Sequence, residues 1–407
     1  MIATVLGNAI EFYDFTSYAA FATAIGKTFF PATTPEVSLL LSVATFGAGF
    51  LTRPLGGALI GAYADRHGRR PAMTLTIVLM ALGTGLIAAV PSYAAIGVAA
   101  PVLVVLARLI QGFAVGGEVG PATAYLLEAA PPAQRARYGS WQSASQGVAS
   151  IVAGTVGFLL AESLTQDQLE AWGWRIAFAL GLLALPVGLY IRRRLEETLD
   201  ADHTHESGVA VVSHAATHHS GAIVIGILAV MGGTIATYFN LYMTTYAQQT
   251  LGLAVGHSML ATFVVGLVGI IAAAGGGIAA DRFGRRWLMV VPRILLALAA
   301  LPCFYLLKTR HDLETLLWVS ATLTLLNSIS AGTIIVQVAD SFPQWVRSTA
   351  LAVTYAVSVS VFGGSTQYVI AQLIAWTHDP VSPAWFLIAV TVPSTVALFY
   401  MRTAEDE

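Results

Sequence analysis

"GAYADRHGRR" (61–70) places five ionisable side chains in six positions, Asp65 to Arg70, of a 407-residue chain in which only 10% of residues are charged. Apolar runs flank it on both sides. A second copy, "GGIAADRFGRR", occupies 276–286, so that Asp65 and Asp281 are 216 residues apart, as are Gly68 and Gly284. A second pair of motifs keeps nearly the same offset. "EAAPPAQRAR" (128–137) matches "DSFPQWVRS" (340–348), with Glu128 and Asp340, and Arg135 and Arg347, each separated by 212. Two independent motifs at nearly one offset predict two halves that are structural copies, a transporter architecture with its substrate site between the repeats.

The residues between the motifs say what those halves consist of. Hydrophobic residues make up 56% of the chain and the mean hydropathy is +0.73, whereas soluble domains carry about 25% charged residues. The surplus apolar surface must face lipid. A spanning helix needs roughly 20 mostly apolar residues. Division at charges, Pro and Gly gives twelve: 2–26, 36–62, 71–91, 96–127, 138–162, 173–191, 221–248, 256–279, 287–307, 313–338, 348–375 and 383–402. The expected fold is an all-α membrane protein with two pseudo-symmetric six-helix bundles, 1–191 and 221–407, joined by a cytoplasmic linker at 192–220. The five histidines of that linker match no zinc spacing and read as solvated loop. The first apolar segment carries Glu11 and Asp14 and runs past residue 20, unlike a cleavable signal peptide. Arginine and lysine placement sets the orientation. With the N-terminus inside, thirteen basic residues fall on inside loops and ends and four outside (Lys27, Arg175, Lys308, Arg310), so both termini are expected in the cytoplasm.

One cysteine, Cys303, excludes a disulfide framework or a multi-cysteine metal site. No catalytic spacing such as Gly-x-Ser-x-Gly or His-Glu-x-x-His appears in a span, so neither an enzyme nor a metal or cofactor site is expected, and a net charge of −2 gives no sign of nucleic acid.

Charged residues inside a membrane are functional candidates by default. They are Glu11, Asp14, Arg53, Arg108, Glu118 and Arg293. Arg108, Gln111 and Glu118 follow one stripe of the fourth span, and Asn8, Glu11, Asp14 and Tyr18 lie close to one face of the first. Both stripes must face protein or a watery cavity. Arg53 and Arg108 are the expected anion-attracting groups, with Asp14, Glu118 and Glu11 as proton carriers. The C-terminal half offers uncharged polar lining instead, including Thr237, Tyr238, Asn327, Gln337, Tyr355 and Gln367. Asn8, Tyr13, Gln111, Gln142, Gln146, Tyr238 and Tyr355 complete the expected substrate-binding set. Arg293, two turns past Arg286, is expected to snorkel and anchor its helix, and Arg175 to anchor the outer end of the sixth span.

The two charged loops, together with "RLIQG" (108–112), resemble the signature motifs of the major facilitator superfamily. More narrowly, "GNAIEFYDF" (7–15), "FLTRPLGG" (50–57), "GGEVG" (116–120) and "WGWRIAF" (172–178) are similar to its metabolite:proton symporter family. "SWQSASQ" (140–146) and "MGGTIATYFNLYMTTY" (231–246) resemble the citrate/tricarballylate proton symporter group. This likeness implies proton-coupled uptake of a small organic anion such as citrate by a monomer in a bacterial inner membrane, with a co-transported proton and no cofactor. Betaine-type zwitterions, shikimate and oxo-acids remain open as substrates, and a channel or drug:proton antiporter as alternatives. It also implies a cytoplasmic gate of ion pairs built from Asp65, Arg66, Arg69, Arg70, Glu128, Asp281, Arg285 and Asp340.

Overall fold

A computed structural model describes residues 2–67, 69–128, 130–193, 220–342 and 347–401. The linker, except its first two and last residues, lies outside the described residues. The helices are α1 (Ile2–Ala20), α2 (Ala22–Phe29), α3 (Pro35–Leu51), α4 (Arg53–His67), α5 (Arg69–Ala89), α6 (Ala99–Glu128), α7 (Arg135–Ser163) and α8 (Trp174–Arg193). After the linker come α9 (Ser220–Gln249), α10 (Val255–Phe283), α11 (Arg285–Arg310), α12 (Leu313–Asp340), α13 (Arg347–Ser358), α14 (Gly364–Thr377) and α15 (Ser382–Tyr400). No strand occurs among the described residues.

Among the described residues, ten helical stretches are long and apolar enough to cross a membrane. The two remaining expected spans are also helical: α1 with α2, broken at Phe21, and α8. Three spans are interrupted where the sequence suggested continuous rods, at Phe21, at Thr52 between α3 and α4, and at a π-turn, Val359–Gly363, between α13 and α14. Pro54 follows Arg53 at the second break, where its missing N–H and ring disfavour an uninterrupted helix.

Large apolar side chains point outward along the spans, among them Leu183 and Leu298. Exposed aromatics gather near helix ends, Trp287 and Tyr400 at the arginine-rich end and Trp318, Trp376 and Trp385 at the other. This is an aromatic belt on a lipid-facing surface.

Association of helices in lipid depends on close packing, because tails are as apolar as leucine. Glycines therefore set which helices touch. In the N-terminal half, α3 and α4 run parallel to α6 with Gly49, Gly56, Gly112 and Gly116 at the contact. A Cβ on Gly112 would collide with the Gly49 carbonyl, and one on Gly116 with that of Arg53. Two seams then join the halves. Along the first, α7 and α10 pack antiparallel through Gly147 against Gly266, Gly154 against Phe263 and Gly277 against Ser140. Along the second, Gly47 of α3 meets the Gly364 carbonyl of α14. The seams exchange under the repeat: a shift of 216 carries α4 onto the end of α10, and 212 carries the start of α7 onto α13.

Gly112→Val is expected to be severely destabilising, since backbone cannot yield as a side chain does. Overpacking of a tight core costs about 1–3 kcal/mol, occasionally more. The yield of monodisperse protein and its melting temperature in detergent should both fall, and unchanged values would contradict the α3–α6 contact.

Candidate functional site

The buried charges converge between α1, α3–α4, α5 and α6. Asp14, 3% exposed, accepts from Thr84 Oγ1 at 2.8 Å through Oδ1. Its Oδ2 accepts from Gln111 Nε2 at 2.8 Å and from Arg108 Nη1 at 3.1 Å. The same Arg108 nitrogen donates to Gln111 Oε1 at 2.8 Å, and Gln111 Nε2 lies 3.0 Å from Thr84 Oγ1. Three helices thus close one polar network around a carboxylate. The i, i+3 spacing of Arg108 and Gln111 presents both to α1 from one face of α6.

Arg108 is fully buried, yet its Nε and Nη2 have no hydrogen-bond partner. Phe15, Tyr18 and Phe46 instead surround its guanidinium, which lies 4.5, 4.5 and 5.1 Å from their ring centroids. Arg53, 7% exposed, stands 3.9 Å over Phe50 and 4.9 Å from Phe15, also with an unpartnered Nε. Two guanidinium groups share the Phe15 ring. Aromatic faces attract cations, but they accept no conventional hydrogen bond, so both guanidinium groups keep unpartnered N–H groups inside the box. Tyr238 of α9 closes it from the other half, its ring 5.2 Å from Phe50, 6.0 Å from Phe46 and 6.4 Å from Phe12.

The other expected binding residues divide. Tyr13 donates its hydroxyl to the Ala177 carbonyl of α8 at 2.8 Å. Asn8 donates to the Gln142 carbonyl at 3.1 Å and to Ser145 Oγ at 2.7 Å, tying α1 to α7. Asn8 and Asp14 therefore do not share a face. Six residues advance a helix by about 240°, so the proposed stripe on α1 wraps around it: one side meets α7, the other α5 and α6. Glu11 is buried, as is Gln142, while Gln146 and Tyr355 are half-buried. Gln367 of α14 is buried with neither side-chain polar atom partnered. Glu118 lies outside the described side chains.

Arg293 departs from expectation. Its head does not snorkel; it is fully buried and donates from Nη1 to Asn327 Oδ1 at 3.0 Å. Space for it comes from Gly233 of α9, where a Cβ would lie 2.5 Å from Nη2. Arg175 does anchor: its Nη1 donates to the Ala88 carbonyl at 2.9 Å, a cation at the C-terminal end of α5, with Trp174 beneath it.

At the arginine-rich end, Asp340 ends α12 and joins Arg135 of α7 at 2.6 Å and Arg285 of α11 at 2.7 Å. One carboxylate bridges the halves. Asp281 does not hold its neighbouring arginines as the loop motif suggested. It accepts the backbone N–H groups of Ala136 at 3.0 Å and Arg137 at 2.9 Å, in the first turn of α7. Unpaired N–H groups and the helix dipole make that terminus a better partner for a carboxylate than a solvated guanidinium. The side chains of Asp65, Arg66, Arg69, Arg70 and Glu128, and that of Arg347, lie outside the described residues. At the opposite end the ion pairs among the described residues stay within one half, Lys27–Glu170 at 2.7 Å and Lys308–Asp379 at 3.0 Å. There the halves meet by neutral bonds, Thr245 to the Ala19 carbonyl at 3.1 Å and Gln249 to Thr23 at 3.2 Å.

Sequence reasoning missed Thr84, Arg135 and the Phe15–Phe46–Phe50 box. Arg135 had a signal, its repeat partner Arg347. Thr84 had none: one hydroxyl in an apolar span, made important only by where α5 packs.

Asp340→Asn is expected to loosen the arginine-rich end. A partly exposed pair contributes about 0.2–1 kcal/mol, so loss of two shifts a closed–open balance by about two- to thirtyfold. Maleimide labelling of Ser140→Cys, buried beneath Gly277 and Gly332, should accelerate by that factor. An unchanged rate would show that these pairs do not hold the end shut.

Comparison with known proteins fits this arrangement. Residues 4–366 match the family model described as Major Facilitator Superfamily. The citrate-proton symporter of Klebsiella pneumoniae is 35% identical over 397 residues, covering 97% of this chain and 89% of that one. The proline/betaine transporter of Salmonella typhimurium is 32% identical over 417 residues, covering 98% and 82%. In three dimensions the chain superposes on a crystal structure of a D-xylose-proton symporter with a TM-score of 0.82 at 21% identity, covering 99% and 97%.

The chain is a polytopic α-helical transporter, not an enzyme. It belongs to the Major Facilitator Superfamily, with that family's twelve-helix, two-bundle fold.

Proposed function

We propose that the chain is a proton-coupled symporter that takes up a small di- or tricarboxylate, citrate foremost. Asp14 carries the proton. When it is ionised, Arg108 and Gln111 are held on it; when it is protonated, their bonds to it weaken and the guanidinium can turn to a substrate carboxylate. Glu11 and Glu118 lie on the same helices and serve the proton path. Rocking of 1–191 against 221–407 about the α7–α10 and α3–α14 seams alternates access, with 192–220 as the connecting linker. Asp340 and Asp281 hold the cytoplasmic side when it is shut, with Asp65, Arg66, Arg69, Arg70, Glu128 and Arg285 as further members. Both termini face the cytoplasm of a bacterium, and the working unit is a monomer in the inner membrane.

The carrying observation is one carboxylate bonded at once to Arg108, Gln111 and Thr84, beside guanidinium nitrogens with no partner. The likeness to a citrate-proton symporter supports the substrate class. The likeness to a proline/betaine transporter favours a second reading, a zwitterion with one carboxylate. Proteoliposome uptake decides between them. Accumulation of labelled citrate under an inward proton gradient, with no response to betaine, supports the first; the reverse supports the second. Citrate conductance without a proton requirement would sink both.

A further inference from the structure

We infer that Arg293 is a second anion subsite, in the C-terminal half, for the far carboxylate of a polycarboxylate substrate; this rests on the function proposed above. Arg293 is 0% exposed, and its guanidinium makes one hydrogen bond, from Nη1 to Asn327. Nε and Nη2 have none. Among the described residues no carboxylate pairs with it. Among the described residues of 220–401 the acids are Asp281, Asp312, Glu314, Asp340 and Asp379, all at helix ends or in loops. A buried guanidinium without a counterion is strongly unfavourable, so the compensating anion comes from outside the chain.

The surroundings are built to hold such a group. Thr237 Oγ1 accepts from Asn327 Nδ2 at 3.1 Å and donates to the Gly233 carbonyl at 2.9 Å, fixing the amide that orients Arg293. Gly233 and Thr237, one turn apart on α9, keep accessible surface, whereas Gly232, Thr234, Ala236 and Tyr238 around them are buried. The two partly accessible residues of this stretch therefore border the guanidinium and its amide partner, and Thr237 is next in sequence to the tyrosine that closes the Arg53–Arg108 box. A ligand with two carboxylates engages both halves, coupling its binding to their approach, and a single-carboxylate ligand does not.

The test uses the purified full-length transporter with citrate as probe. Arg293→Gln should weaken citrate binding by about 30-fold, the loss of one charged hydrogen-bonded contact, and abolish citrate-induced thermal stabilisation. Arg293→Lys should recover part of the affinity. The melting temperature without ligand should hold or rise in Arg293→Gln, because an uncompensated charge has gone; a mere anchor predicts a fall there and an unchanged citrate constant. Asn327→Asp gives Arg293 an internal carboxylate, and should stabilise the ligand-free protein while weakening citrate. Should Arg293→Gln not fold, Asn327→Asp decides, and citrate binding at wild-type strength in it overturns the subsite. Wild-type affinity in folded Arg293→Gln overturns it equally. Failure of the wild-type chain to bind any polycarboxylate overturns the proposed function and this subsite together.

Discussion

Arg108→Ala is expected to reduce citrate uptake by more than about 100-fold, the largest single effect in the molecule. Two losses combine. The substrate carboxylate loses a charge-assisted donor, worth about 1.5–3 kcal/mol, and Asp14 loses the buried cation that offsets its own desolvation. Breaking one partner of a buried pair costs about 3–5 kcal/mol, so the variant will also be less stable. The double variant Arg108→Ala/Asp14→Asn separates the two effects: it should recover thermal stability without recovering citrate binding. Arg108→Lys should rescue poorly, because an ammonium cannot hold Asp14 and Gln111 through one planar fork while keeping other donors free. Citrate-dependent thermal shift and proteoliposome uptake are the measurements. Normal citrate binding by a folded Arg108→Ala protein would remove this arginine from the anion site.

Asp14→Asn should separate transport from coupling. The amide occupies the carboxylate's volume and keeps an oxygen for the Thr84, Gln111 or Arg108 donors, so it imitates the protonated state, at some cost in stability because Arg108 loses its buried counterion. Citrate exchange across the membrane should persist within about threefold, whereas accumulation driven by a proton gradient should fall to an inside-to-outside ratio of about one, since the coupling free energy between proton and substrate has been deleted. The pH dependence of uptake should flatten with it. An Asp14→Asn transporter that still concentrates citrate would assign the proton to another carboxylate, with Glu11 the nearest along the helix.

These two residues also mark how far the sequence was legible. Their candidacy followed from intramembrane charge alone, because lipid solvates neither ion. Their partnership did not. Asp14 and Arg108 are 94 residues apart, and nothing local to either chooses between Arg53 and Arg108 as the counterion. The choice is made where glycines let α4 and α6 approach and so aim one arginine at α1 and the other at Phe50. Asn8 shows the same limit from the other side: its spacing looked continuous with Asp14, but α1 is enclosed by protein, so polar residues on it need not share a face. Arg293 failed differently. Snorkelling was expected from its closeness to a helix end, and Gly233 removed the side chain that would have kept its head from turning inward.

"GAYADRHGRR" and its copy determined, unaided, that this chain is two related bundles of membrane helices, because a charged loop between apolar spans has few places to sit and a repeated offset has few causes. Hydropathy and helix spacing carried the span count and the roster of buried charges. Which carboxylate faces which guanidinium, that Asp281 caps a helix instead of pairing with arginine, and that Arg293 lies buried without a counterion were decided only in the tertiary structure. Those outcomes depend on distances between residues far apart in the chain, set by packing of small residues at helix crossings, and that information is spread over many side chains rather than held in any one motif.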